Sequence, residues 1–153
     1  MLINLWNSQP IPLWRDGALA GHREVEAVII TMLKSKIHRA TVTGADVDYE
    51  GSITIDKELM DVAKLIEYEK VDVYNITNGQ RFSTYVIRGE RGKGEISLNG
   101  AAARLVSIGD LIIICSYSQH EEKEVSKHKP VIVHVDQRNK IKEIKMVGML
   151  SKG

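Results

Sequence analysis

The chain has 153 residues, with 21 basic and 20 acidic side chains and a formal net charge of +1. That length suits one domain burying roughly two-thirds of its unfolded surface, and the balanced charge argues against nucleic-acid binding through bulk positive charge. The single cysteine, Cys115, excludes an internal disulfide and fits a reducing compartment, while no apolar run approaches the roughly 18 residues of a membrane span, so a soluble protein is expected.

The first thirty residues hold both tryptophans, Trp6 and Trp14, beside Pro10, Pro12, Arg15 and Asp16, with no sustained helical or strand period. Ala18-Leu19-Ala20 mimics a signal-peptidase site, but no basic segment and unbroken apolar core precede it, so secretion is not expected. Residues 1–27 read instead as an extension, either disordered or arising from a misplaced start. A purine-rich codon run for Arg23-Glu24-Val25-Glu26 would resemble a ribosome-binding site, and Val28 would then be a GUG start. A single domain over residues 28–153 follows.

Ile37 to Thr43 is rich in β-branched residues, and Val47, Tyr49, Ile53 and Ile55 alternate as in a half-buried strand that contains Gly51 and Ser52. Asp56 is a good N-cap for a helix whose apolar positions Leu59, Met60, Val62, Ala63 and Ile66 recur at helical spacing. Val71 to Thr77 and Arg81 to Ile87 flank Asn78-Gly79, the signature of a hairpin turn. Gly89, Gly92 and Gly94 mark a loop, Ile96 to Leu98 a short strand, and Ala101 to Leu105 a helical turn. Leu111 to Cys115 and Val131 to Val135 are further strands, separated by the charged stretch His120 to Lys129. Many short strands with one or two short helices predict a mainly β fold, a small closed barrel.

Several features read as structure rather than chemistry. Cys115 ends the apolar run Leu111 to Ile114 and is expected in the core. The five histidines lack the close spacings that bring two ligands to one metal, so no metal site is expected. The Gly89 to Gly94 loop lacks the Lys-Ser/Thr end of a phosphate loop, and Glu121 to Glu124 is a solvated charge run.

Ser52 directly follows Gly51, a junction found at no other serine in the chain. Its hydroxyl can attack the Gly51 carbonyl and convert the peptide to an ester, and the glycine permits an unusual backbone geometry there. Taken alone, Gly-Ser is more often a turn or a bulge. Further segments supply the context: Ile37-His38-Arg39-Ala40, Tyr49-Glu50-Gly51-Ser52, Asn78-Gly79-Gln80-Arg81-Phe82-Ser83-Thr84-Tyr85 and Asn99-Gly100-Ala101-Ala102-Ala103. In that order, from about Val28 to Val135, the chain closely resembles the bacterial aspartate 1-decarboxylases.

The resemblance implies a six-stranded double-psi β-barrel, assembled as a homotetramer with active sites at subunit boundaries. It implies autocatalytic cleavage into a β chain ending at Gly51 and an α chain, residues 52–153, that starts with a pyruvoyl group made from Ser52. That group would form a Schiff base with L-aspartate and drive its decarboxylation to β-alanine and CO2, for pantothenate and coenzyme A synthesis in the cytoplasm. A maturation factor is a further conceivable partner; nucleic acid, membrane and metal are not expected. Tyr85 matches the family's proton donor, a role that rests on placement because a phenol is a weak acid. Arg81 matches a carboxylate clamp and Lys36 a second substrate cation, a pair that suits a dicarboxylate. Thr84 matches a substrate contact that also polarises the Gly51 carbonyl. Gly100, Ala101 and Ala102 match a segment whose backbone contacts substrate, Asn99 an orienting residue, and Tyr49 and His38 positions bordering the cleavage site. The competing reading is an inert barrel that keeps the fold as a binding module and leaves its chain uncut.

Overall fold

The computed structural model describes residues 26–147, so residues 1–25 of the expected extension lie outside the described residues. The fold is mainly β. Its strands are β1 (Ile29–Thr41), β2 (Gly44–Asp46), β3 (Ser52–Asp56), β4 (Lys70–Asn75), β5 (Arg81–Gly89), β6 (Ile96–Asn99), β7 (Leu111–Glu121), β8 (Val131–Val135) and β9 (Ile141–Met146). Among the described residues one α-helix, α1 (Lys57–Val62), and two 3₁₀ turns, Gly100–Leu105 and Glu122–Lys127, accompany them.

The strand pairings run β2-β6-β3-β5-β4-β7-β1-β8-β9. Only Val42 and Thr43 separate β1 from β2, so the run from β1 through β7, β4, β5, β3 and β6 returns to a continuation of its own first strand. Thr43 helps join that return, its amide donating to the Ile96 carbonyl at 2.8 Å and its Oγ1 accepting the Ile96 amide at 2.9 Å. Counting β1 and β2 as one strand, the circuit has six members, the number the sequence resemblance implied. The nine strands differ from that count because β8 and β9 form a hairpin added to β1, where Ser35 to His38 pair in parallel with Val131 to His134. The core fills the circuit, with Ile37, Ile53, Ile55, Val73, Val86, Ile96, Leu98 and Ile112 fully buried. Each such side chain contributes about 1.5–3 kcal/mol relative to exposure.

Three expectations change. The alternating segment Val47 to Ile55 is not one strand: Asp46 Oδ1 accepts the Asp48 amide at 2.9 Å, an Asx turn that breaks the chain before Ser52 and leaves Val47 and Tyr49 exposed. The helix begins at its expected cap, with Asp56 accepting the Glu58 amide, but it does not reach Ile66. Lys64 takes φ 54° and the Leu65 amide returns to the Met60 carbonyl at 2.8 Å, a Schellman closure that leaves Ile66 exposed. The expected hairpin forms as β4 and β5, antiparallel with Tyr74 opposite Arg81. Its loop is longer than a two-residue turn, and Gly79 carries the positive φ, 79°.

Candidate active site

Ser52 opens β3 and is only 1% exposed. Its burial follows from the antiparallel register with β6, which sets Ser52 opposite Asn99. Residues opposite one another present side chains on the same face, and Asn99 Nδ2 accordingly donates to Ser52 Oγ at 2.9 Å and to Thr54 Oγ1 at 3.1 Å. The Ser52 hydroxyl lies 3.4 Å from the Glu50 carbonyl oxygen, at the long limit of a hydrogen bond. Asn99 is itself 5% exposed, so its amide is an oriented donor rather than a solvated one.

The backbone demand at the Gly51-Ser52 junction falls on a different glycine from the one the sequence singles out. Gly51 does not have a positive φ, and a Cβ built on it meets nothing within 4 Å. Gly100 has φ 63°, and a Cβ there would stand 2.7 Å from Gly51 Cα, 2.8 Å from Gly51 N and 3.0 Å from the Tyr49 carbonyl oxygen. Only glycine allows that approach.

Beside the junction is an open cleft of about 320 Å³ lined by Gly51, Phe82, Ser83, Thr84, Tyr85, Ala101, Ala102 and Leu105. The parallel pairing of β3 with β5, Ile53 opposite Val86, carries Thr84 and Tyr85 to this end of the barrel. Tyr85 is 36% exposed and its ring lies 6.4 Å from that of Tyr68. Five of the sequence-predicted positions, Gly51, Thr84, Tyr85, Ala101 and Ala102, thus line one cleft, while Asn99 contacts Ser52 and Gly100 packs on Gly51. Phe82, Ser83, Leu105 and Thr54 are additions that the sequence did not single out.

Lys36 and Arg81 are not among the residues lining this cleft. They lie on the outward rows of β1, β7, β4 and β5, where Lys36, Cys115, Asp72 and Ser83 are successive register partners and Tyr74 pairs with Arg81. The Arg81 guanidinium stacks over the Tyr74 ring, 4.1 Å from its centroid, and Tyr74 Oη meets Tyr117 Oη at 2.7 Å. That hydrogen bond, with burial, pushes the Tyr117 hydroxyl well above its usual range. Cys115 is buried as expected, 2% exposed; burial pushes its thiol up, against the opposing charges of Lys36 and Arg81. Tyr49 is exposed in the turn before Gly51, and its carbonyl oxygen approaches Gly100. His38 lies apart, on β1 against His134 of β8, ring centroids 5.1 Å apart. No close spacing in the sequence marks this pairing, nor the His120 and His128 contact at 4.3 Å.

A strand circuit with a buried serine at a Gly-Ser junction, an amide donating to its hydroxyl and a cleft alongside defines a small β-barrel protein with its candidate site at one end of β3. The chain belongs to the aspartate decarboxylase family, whose sequence profile, described as Aspartate decarboxylase, matches residues 28–142. Relatives named aspartate 1-decarboxylase include those of Ralstonia pickettii (strain 12J), 60% identical with 74% of this chain and 95% of the relative covered, and of Ralstonia nicotianae, 60% identical with 76% and 97% covered. That of Wolinella succinogenes is also 60% identical, with 74% of this chain and 94% of the relative covered. Among the described residues no helix is long and apolar enough to cross a membrane.

Proposed function

We infer that the protein decarboxylates L-aspartate to β-alanine and CO2 after cutting its own chain between Gly51 and Ser52. Membership of the family and relatives bearing the name aspartate 1-decarboxylase over nearly their whole length support the reaction. The observation that carries the self-cleavage is the pair of contacts at the junction: Asn99 Nδ2 on Ser52 Oγ, and Gly100 fitted against the Gly51 backbone. Those contacts also fit the junction to become a pyruvoyl group, since the serine that would supply it is buried, hydrogen-bonded by Asn99 and next in the chain to Gly51 of the cleft.

In the cutting step Ser52 Oγ adds to the Gly51 carbonyl carbon, the carbon-nitrogen bond breaks, and the nitrogen takes up the hydroxyl proton, leaving an ester. Thr84, lining the same cleft as Gly51, would polarise the carbonyl. Elimination across the Ser52 Cα–Cβ bond then releases the Gly51 carboxylate, and addition of water with loss of ammonia leaves a ketone at the new terminus. The pyruvoyl group supplies a carbonyl that holds the substrate amine and accepts the electron pair freed with the α-carboxylate. Tyr85, at the cleft edge, would return a proton to the resulting carbon. Small side chains at Ala101 and Ala102 leave substrate room beside the Gly100 backbone.

Lys36 and Arg81 would bind the two carboxylates of aspartate. Their absence from the cleft lining of a single chain supports a shared arrangement, in which the outward face of one subunit completes the cleft of another; a homotetramer with sites at subunit boundaries is the corresponding assembly. Cytoplasmic localisation, a role in pantothenate and coenzyme A synthesis and a maturation factor belong to the same reading.

The test is an intact mass spectrum of the purified protein under denaturing conditions, followed by an assay of β-alanine formation from aspartate. Two fragments meeting at Gly51 and Ser52, the larger lighter by one ammonia than simple hydrolysis gives, are expected together with turnover. A single uncut chain after prolonged incubation, alone and with cell extract, would leave the inert-barrel reading in its place.

A further inference from the structure

A second concavity, about 820 Å³, lies between β1, the β8–β9 hairpin and the Gly109 to Leu111 segment. Its lining includes Arg39, Arg138, Lys142, His38 and His134, with Asp136 as its one acidic residue. Asp136 offsets only part of this charge: its Oδ1 accepts the backbone amides of Lys140 at 2.9 Å and Arg138 at 2.8 Å, which hold it anionic below its usual range, and one carboxylate faces three cations. Among the described residues, none of Arg39, Arg138 and Lys142 forms an ion pair with a carboxylate, whereas Lys34, Lys57, Arg91, Lys93, Lys123 and Lys145 all do. With a net charge of only +1, this collection is a local concentration and not a share of general basicity.

The walls are fixed. Asn139, 2% exposed with φ 59°, donates through Nδ2 to the carbonyls of Thr41 and Gly94, each at 2.8 Å, and accepts the Thr41 amide through Oδ1 at 2.7 Å. The β8–β9 turn is thereby tied to the end of β1. On β1 itself the ladder to β7 shifts register between Ile37 and Ala40, and Arg39 takes φ 63° within the bulge. A left-handed arginine in a strand is a costly conformation, and here it sits in the wall of the cationic cleft. The neighbouring His38 is held below its usual range chiefly by burial, with smaller contributions from His134, Lys36 and Arg39.

We propose that this cleft is a binding site for a small molecule carrying adjacent phosphate groups. Two guanidiniums and an ammonium across one concavity match several phosphate oxygens: each planar guanidinium fork makes paired hydrogen bonds to one phosphate group, and two adjacent groups engage both forks at once, which a single halide or carboxylate cannot. The volume falls in the range of small-molecule sites and exceeds the need of a lone ion. Within one chain the site shares no lining residue with the cleft at Gly51.

The test is calorimetric titration of inorganic pyrophosphate into the purified protein at near-physiological salt, with orthophosphate in parallel. Saturable pyrophosphate binding is expected, weaker by roughly tenfold or more for orthophosphate and for the double variant Arg138→Gln/Lys142→Gln. The variant Arg81→Gln should bind as the parent does. Lys142→Gln alone, on an exposed edge strand, gives an intermediate loss and guards against a folding defect in the double variant, which circular dichroism checks. No saturation at millimolar pyrophosphate, equal affinity for orthophosphate, binding indifferent to Arg138→Gln/Lys142→Gln, or binding abolished by Arg81→Gln would each overturn the proposal.

Discussion

Gly100 is packed so closely on Gly51 that a single added methyl group would lie 2.7 Å from the Gly51 Cα. Its φ of 63° adds a second reason for glycine, since an L side chain there is strained even in open space. Gly100→Ala should therefore displace the junction, and a shift of that kind slows a positioned reaction by about a hundredfold. A time course of cleavage by denaturing mass spectrometry checks this, with thermal melting to confirm that the barrel persists. A Gly100→Ala protein that cuts at the parent rate would show that the close approach plays no part in the reaction.

Asn99 makes two hydrogen bonds through one nitrogen, to Ser52 Oγ and Thr54 Oγ1. Asn99→Ala removes the donor and leaves both hydroxyls inside a nearly dry region, at about 1–3 kcal/mol. Cleavage should slow roughly ten- to hundredfold as the Ser52 hydroxyl loses its orientation. Thr54→Val, which removes only the partner contact, should cut at close to the parent rate. If the two variants cut equally fast, Asn99 contributes to stability alone.

Arg81 is held by its stack on Tyr74 and stands apart from the cleavage junction. Arg81→Lys keeps the charge but loses the planar fork and much of the stack. We expect normal cleavage with KM for aspartate raised about ten- to a hundredfold, since uniform substrate binding is what the fork supplies. Steady-state rates of β-alanine formation, alongside the mass of the processed chains, separate the two steps. An unchanged KM would remove Arg81 from the substrate clamp.

The parts of this molecule that the sequence announces are those with local signals. Asn78-Gly79 between two β-branched runs is enough for the β4–β5 hairpin, and Asp56 ahead of a helical period is enough for the start of α1. Tyr49 and Val47 fall on the strand period yet sit in a turn, because Asp46 captures the Asp48 amide and the alternation is not tied to burial. The β9 strand escapes for the opposite reason: it pairs only with β8 and exposes Lys142, Glu143 and Lys145, so it lacks an apolar pattern. At the site, Ser52 and its neighbours were legible through the family resemblance. The hydrogen bond from Asn99, 47 residues away, and the fit of Gly100 on Gly51 depend on the β3–β6 register and have no local signature. The cationic cleft is equally silent, assembled from residues of β1, the β8–β9 turn and β9.

Asp56 ties the start of α1 to the Gly92 to Gly94 loop. Burial alone would raise its carboxyl, but the amides of Gly94, Gly92 and Glu58, donating at 2.6, 2.9 and 2.8 Å, more than offset this and hold it below the usual carboxylate range. Because the folded value lies below the unfolded one, about 3.9, the stabilisation is fully present above that pH. It is lost as pH falls through the folded value. Asp56→Asn should cost about 1–3 kcal/mol at neutral pH, and the gap to the parent should narrow as urea unfolding is repeated toward pH 3. The buried position, 2% exposed, keeps the effect largely independent of salt. A gap that stays constant from neutral to acid pH would mean that the geometry of the cap, and not its charge, secures the loop to the helix.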